Sequence, residues 1–214
     1  LISAKIDVKQ VFASEHGFRG EAGPGDKVDS GKDAVTGVKV VSLYGSRKKP
    51  QPEDLKDIDL VVFDIQDVGA RFYTYISTLH YVMEACAENN ILLLVLDRPN
   101  PNGFYVDGPV LDTAYRSFVG IAPIPVVHGL TVGEYAMMAN GEGWLKNSVK
   151  CKMSIVKMDG YTHDKLYELP VWPSPNLPGM NAIYLYPSLC FFEGAAVSVG
   201  RGTSKPFEMI GFPG

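Results

Sequence analysis

Two apolar runs with a helix-shaped pattern between them constrain this chain more than any other feature. Leu60-Val61-Val62-Phe63 and Ile91-Leu92-Leu93-Leu94-Val95-Leu96 are apolar at every position, where an edge strand would alternate. Between them Phe72, Ile76, Leu79, Met83 and Cys86 recur at spacings of 4, 3, 4 and 3, which sets them on one face of a helix. Strand, crossover helix and strand make a parallel pair. The pattern therefore predicts an α/β chain, layered α/β/α around a mostly parallel sheet. Strands are expected near Val8–Ala13, Val38–Leu43, Leu60–Ile65, Ile91–Leu96, Ile124–Val127 and Met153–Lys157, with a later one at Ala195–Val199. Asn89-Asn90 ends the first helix. Thr131 and Glu134 have capping-box spacing and open a second, which fades at Gly141-Glu142-Gly143. A third is expected over Ile183–Phe192.

The 214 residues suffice for one large domain or two small ones, and we divide them into residues 1–170 and 171–214. The chain opens on Leu1 and stops at Gly214, and is expected to be a piece of a longer protein. With a net charge of −4 and no basic run beyond Arg47-Lys48-Lys49, nucleic acid is not an expected partner. The longest strongly apolar run, Ile91–Leu96, is far below the roughly 20 residues needed to span a bilayer. Cys86, Cys151 and Cys190 lack C-x-x-C spacing and are read as buried structural thiols.

Two segments break the regularity. Gly17, Gly20, Gly23, Gly25, Gly31 and Gly37 lie in one charged stretch directly after a strand, which reads as a long mobile loop of the lid or binding type. Trp172-Pro173-Ser174-Pro175-Asn176-Leu177-Pro178-Gly179 is too rich in proline for a helix or a central strand. It is a linker or an extended segment along a cleft.

Ligands of open parallel sheets bind at the carboxyl ends of the strands. Four predicted strand ends deliver polar residues there: Ser14-Glu15-His16-Gly17, Asp64-Ile65-Gln66-Asp67, Asp97-Arg98-Pro99-Asn100 and His128-Gly129. Each has a plainer reading. Glu15-His16 can serve a turn, Asp67 can be the N-cap of the helix through Phe72, Asp97-Arg98 can be a structural ion pair, and His128 can belong to a turn. His80 and His163 are read as structural outright. No G-x-G-x-x-G, Walker loop or G-x-S-x-G elbow is present. Gly200-Arg201-Gly202-Thr203 is a weak anion-binding loop, and Asp64-Ile65-Gln66 only distantly matches the D-x-D strand end of phosphatases. Carboxylates without a metal motif point to glycoside hydrolysis, in which two carboxyl groups share the proton work. Glu15, Asp64, Asp67 and Asp97 are the candidate acids. Phe18, Tyr73, Tyr75, Phe104, Tyr105 and Trp172 are available to stack on a sugar.

Ser14-Glu15-His16-Gly17-Phe18-Arg19-Gly20, the run from Phe63 to Tyr75, and Leu96-Asp97-Arg98-Pro99-Asn100-Pro101 resemble signature blocks of the exo-β-N-acetylmuramidase (NamZ) family. Likeness continues through Gly108-Pro109, His128-Gly129-Leu130-Thr131, Pro173–Pro178 and Gly200-Arg201-Gly202-Thr203. The resemblance implies a Rossmann-like N-terminal domain, followed by the start of a smaller C-terminal one. It also implies a hydrolase that releases N-acetylmuramic acid from the non-reducing end of peptidoglycan fragments. The partners are then muramyl saccharides, and neither a metal nor an organic cofactor is implied. Carried onto this chain, Glu15 is the acid/base, His16 orients it or contacts the substrate, and Asp64, Gln66 or Asp67 supplies the second polar group. Arg71, Arg98 and Arg201 compete for the lactyl carboxylate, while Tyr73, Asp97, Asn100, His128 and Asn176 complete the substrate-binding set. An exported location is expected, with the cytoplasm as the alternative. The rival functions are a non-catalytic cell-wall sugar-binding module and a metal-dependent phosphohydrolase built on Asp64.

Overall fold

The Leu60–Leu96 unit folds as its spacing predicts. In the computed structural model, which describes residues 1–20, 22–23 and 26–212, strand β4 (Leu60–Phe63) leads through helix α1 (Tyr75–Glu88) to β5 (Leu92–Leu96). The two strands pair in parallel, with Val61 opposite Leu93. From β5 the chain runs through α2 (Val132–Gly141) to β6 (Met153–Val156), again parallel. A second sheet joins β1 (Gln10–Ala13), β3 (Lys39–Ser42) and β2 (Gly31–Lys32) in the order β1-β3-β2; β1 and β3 are parallel, and β2 is antiparallel to β3. The α/β, Rossmann-like class follows from this topology.

Packing on the larger sheet is sided. Val61, Phe63, Leu93 and Val95 are buried against Ile76, Leu79, Met83 and Cys86 of α1 and Tyr135, Ala136 and Ala139 of α2. Burying each of the larger aliphatic side chains stabilises the fold by roughly 1.5–3 kcal/mol. Leu79 is fully enclosed, so truncating it to Ala would cost about 2–5 kcal/mol. Leu60, Val62 and Leu92 point the other way and are about two-fifths exposed (42%, 39% and 43%). The sequence leads one to expect cover on both sides of these strands. Among the described residues, α1 and α2 touch each other and β5, because successive right-handed crossovers advancing in one direction lay their helices on the same side.

Several expectations are corrected. Ile124–Val127 is no strand: Pro123 and Pro125 remove two donors, and Val127 makes isolated antiparallel bridges to Ala70 and Asp107. The run Ala195–Val199 is reduced to one bridge, between Ser198 and Gly211. Helix α1 begins at Tyr75 rather than Phe72, so Asp67 is too far upstream to cap it. The stretch from Gly17 to Gly37 is tied down within its described residues. β2 pairs with β3, and Arg19 grips Asp33 through two hydrogen bonds of 2.9 and 2.8 Å. Gly25 of that stretch lies outside the described residues.

Other readings hold. Thr131 and Glu134 form the capping box of α2, and Asn90 turns left-handed (φ 55°) after α1. The three cysteines are buried and free. Burial pushes the Cys86 and Cys190 thiols up to about 12 and Cys151 to about 11, which leaves them inert. Helix α3 (Met180–Leu189) runs into a 3-10 turn, Cys190–Gly194. A second apolar cluster joins α3 to the post-β4 segment, through Val68, Ala70, Tyr73, Tyr75, Leu177, Ile183, Tyr186 and Phe207. No described helix is long and apolar enough to cross a membrane.

Candidate active site

Strand β1 ends at Ala13, and the chain turns at once through Ser14-Glu15-His16-Gly17. The turn closes by a Gly17 N–H bond to the Ser14 carbonyl, and His16 sits in the left-handed region at φ 68°, an uncommon conformation for a non-glycine residue. The His16 ring is buried, with Nδ1 2.8 Å from the Ala22 carbonyl. It therefore fixes the turn, and in doing so sets the direction of Glu15.

Glu15 is half-buried. The Tyr44 hydroxyl donates to its Oε1 and the Thr74 hydroxyl to its Oε2, both at 3.0 Å. Thr74 is the N-cap residue of α1, yet its side chain caps nothing in the helix; the hydroxyl is turned to the carboxylate instead. Glu15 thus lies at the positive end of a 14-residue helix. The wall beside it is aromatic. Tyr73, Tyr75 and Tyr186 meet edge to face, and the Tyr73 hydroxyl donates to the Pro173 carbonyl at 2.8 Å. Trp172–Gly179 runs as bends and turns, and its Pro173 carbonyl is packed against these tyrosines. Burial, with the nearby Glu15 and Asp67 charges adding to it, pushes the Tyr75 hydroxyl up to about 12. Trp172 and Phe18 remain 45% and 43% exposed and free to meet a ring.

Asp67 occupies a different setting, sealed beneath the strand ends. Its Oδ2 accepts from the Gly69 N–H at 2.7 Å and stands 3.5 Å from His128 Nε2. His128 Nδ1 accepts from the Leu130 N–H at 3.1 Å, which leaves Nε2 as the nitrogen that faces the carboxylate. Asp67 Oδ1 and His128 Nε2 are buried without a hydrogen-bond partner. Around them amides tie the strand-end loops together. Gln66 donates to the Asp67 and Pro99 carbonyls, Asn100 to Leu130, and Asn102 to Val68 and Ile183.

The remaining candidates are spread out. Asp64 pairs with Arg98 on the surface. Asp97 receives the Thr131 hydroxyl and the Gly133 and Arg98 N–H groups, so its carboxylate anchors the start of α2. Arg71 is buried, its Nη1 donating to the Pro109 and Ile124 carbonyls, and desolvation lowers its pKa. Arg201 pairs with Glu193. The Asn176 backbone N–H donates to the Ser174 hydroxyl. His80 and His163 pair with Tyr135 and Glu134. Among the described residues, no three His, Cys, Asp or Glu side chains are grouped to hold a metal ion. A surface hollow lined by Pro52, Glu53, Leu55 and Asn89 opens at the amino edge of the sheet, away from Glu15.

A model of the family described as exo-beta-N-acetylmuramidase NamZ, N-terminal, matches residues 1–181, and its C-terminal counterpart matches residues 184–214. The chain belongs to the NamZ family. It is 49% identical over 213 residues to the peptidoglycan beta-N-acetylmuramidase NamZ of Bacillus subtilis (strain 168), a match covering 97% of this chain and 50% of that one. Two solved structures from Bacteroides fragilis NCTC 9343, both described as DUF1343 family proteins, share its fold. One has TM-score 0.88 at 50% identity, over 98% of this chain and 56% of its own. The other has TM-score 0.82 at 42% identity, over 94% and 52%. The chain thus spans about half the length of these relatives.

Sequence reasoning missed Tyr44 and Thr74 as partners of Glu15. They reach it from 29 and 59 residues away, and no local pattern marks them. An N-cap threonine before an aromatic helix start was the one available hint.

Proposed function

We propose that this chain carries the chemistry of an exo-acting β-N-acetylmuramidase, a glycosidase that releases terminal β-N-acetylmuramic acid from the non-reducing end of peptidoglycan fragments. Glu15 is the acid/base group. The observation that carries this reading is the setting of that carboxylate: at a strand end, half-buried, steadied by two hydroxyl donors and flanked by the Tyr73–Tyr75 pair. The activity named for the Bacillus subtilis relative supports the same reading. Of the three arginines proposed for the lactyl carboxylate, Arg98 and Arg201 keep side chains 44% exposed, whereas Arg71 is sealed among carbonyls. A saccharide can reach the first two. The cell-wall substrate also goes with an exported location, which forms part of the proposal.

A chromogenic β-N-acetylmuramide offered to the wild type and to Glu15→Gln tests it. Release by the wild type, lost in the variant with binding retained, is the expected result. Binding without release by the wild type would make the protein a sugar-binding module and end the proposal.

A further inference from the structure

The acids taken from the sequence as partners for Glu15 are all committed elsewhere: Asp64 to Arg98, Asp67 to Gly69 and His128, and Asp97 to the start of α2. Most glycoside hydrolases nevertheless use a pair of carboxyl groups. The 3-10 turn after α3 supplies another carboxyl, Glu193. Its side chain is 28% exposed and is held by Arg201, whose guanidinium stacks over the Phe207 ring. Phe207 meets Tyr186 edge to face, Tyr186 meets Tyr73, and Tyr73 meets Tyr75. The Tyr75 hydroxyl lies 3.4 Å from the Glu15 carbonyl oxygen. A continuous chain of aromatic contacts therefore links Glu193 to the Glu15 turn, and the charges of both carboxylates act on Tyr186.

We propose that Glu193 is the second catalytic carboxyl of this site, the general acid that works opposite Glu15. The proposal rests on the glycosidase reading above. Burial raises the Glu193 pKa, and the charge of Glu15 adds to that rise against the opposing effect of Arg201. A carboxyl so placed keeps its proton further toward neutral pH than an ordinary glutamate. In the reaction its Oε–H proton passes to the glycosidic oxygen as the C1–O bond breaks, and the bonding electron pair leaves with that oxygen as an alcohol. Water adds to C1 and gives its proton to Glu15. Exchange with solvent then takes the proton from Glu15 and returns one to Glu193. Arg201 steadies the carboxylate formed when Glu193 has donated.

The test exploits leaving-group chemistry. A disaccharide with a sugar leaving group needs protonation, whereas an activated aryl β-N-acetylmuramide leaves without it. Glu193→Gln is expected to lower kcat on the disaccharide by about 10²–10⁴-fold, with KM little changed and the aryl substrate losing less than about tenfold. It is also expected to remove the alkaline limb of the pH–rate profile on the disaccharide. Equal losses on both substrates, or no loss on either, would overturn the assignment. Glu193→Asp, which retains the carboxyl but retracts it, must shift the same ratio in the same direction. The ratio is read within each variant, so partial unfolding does not imitate it. A wild type that cleaves neither substrate sinks the glycosidase reading itself, an outcome distinct from a wild type whose ratio Glu193→Gln leaves untouched.

Discussion

The Glu15 corner and the Asp67–His128 corner hold the same kind of group in opposite ways. Glu15 is half-open to solvent and is held by hydroxyls that can rotate. Asp67 is enclosed, with side-chain exposures of 4% for it and 0% for His128, and is held by a backbone N–H and an imidazole. A proton donor or acceptor must reach its substrate, so the open corner suits chemistry. The closed corner suits architecture, since it joins the loops after β4 and β5 to the segment carrying His128. Two acidic strand ends of similar appearance in the sequence thus divide into an accessible carboxylate and an enclosed one.

The sharpest way to break this contrast is Asp67→Ala. It strips the Gly69 N–H of its acceptor and removes the carboxylate that the buried His128 Nε2 faces at 3.5 Å, and unfolding free energy is expected to fall by about 3 kcal/mol. A urea titration checks this, and a loss below about 1 kcal/mol would say that the buried pair is not structural. Close behind comes a pH test of what burial does to an imidazole. Burial lowers the His80 pKa from 6.5 to about 4, so the unfolded chain binds the extra proton between those values. Stability is therefore complete above pH 6.5 and declines as pH falls toward 4, by roughly 3 kcal/mol at most for a shift of that size. Urea midpoints at pH 7 and pH 4.5 read it, and His80→Gln should flatten the slope.

Asp97→Ala comes next, since it removes the anchor of the α2 start while leaving the Thr131–Glu134 capping box. A loss of about 1–2 kcal/mol is expected, with kcat on a muramide held within a few-fold. A collapse of kcat at retained stability would return Asp97 to the substrate. The smallest effect belongs to Thr74→Val, which deletes one donor to Glu15. It should reduce kcat/KM about five- to tenfold, near the 1 kcal/mol of a single hydrogen bond, and leave the urea midpoint unmoved.

Much of the scaffold was legible because its signals are local. Continuous apolar runs, a 4-3-4-3 face and a Thr-x-x-Glu cap each report on neighbouring residues, and β4-α1-β5 and the start of α2 formed accordingly. The Ile124–Val127 run failed for a local reason given too little weight, its flanking and internal prolines. Glu15 could be picked out because a strand end is itself a local feature. Its surroundings could not: Tyr44 and Thr74 become its donors only once β1, β3 and α1 are assembled. Glu193 has no motif of its own, and its pairing with Arg201 over the Phe207 ring forms only in the folded chain. The roles of Gln66, Asp97 and Asn100 as ties between loops were likewise invisible, since an amide or carboxylate after a strand looks the same whether it faces a ligand or a neighbouring carbonyl.

The central claim is that reactivity resides in the Glu15 carboxylate and not in the frame around it. Parallel measurement of turnover on a β-N-acetylmuramide and of the urea midpoint for Glu15→Gln tests this most directly. The account predicts that kcat falls by about 10³-fold or more while the midpoint and the affinity for N-acetylmuramic acid stay near wild type. Turnover within about tenfold of wild type, or a loss of activity matched by a loss of stability, would contradict it.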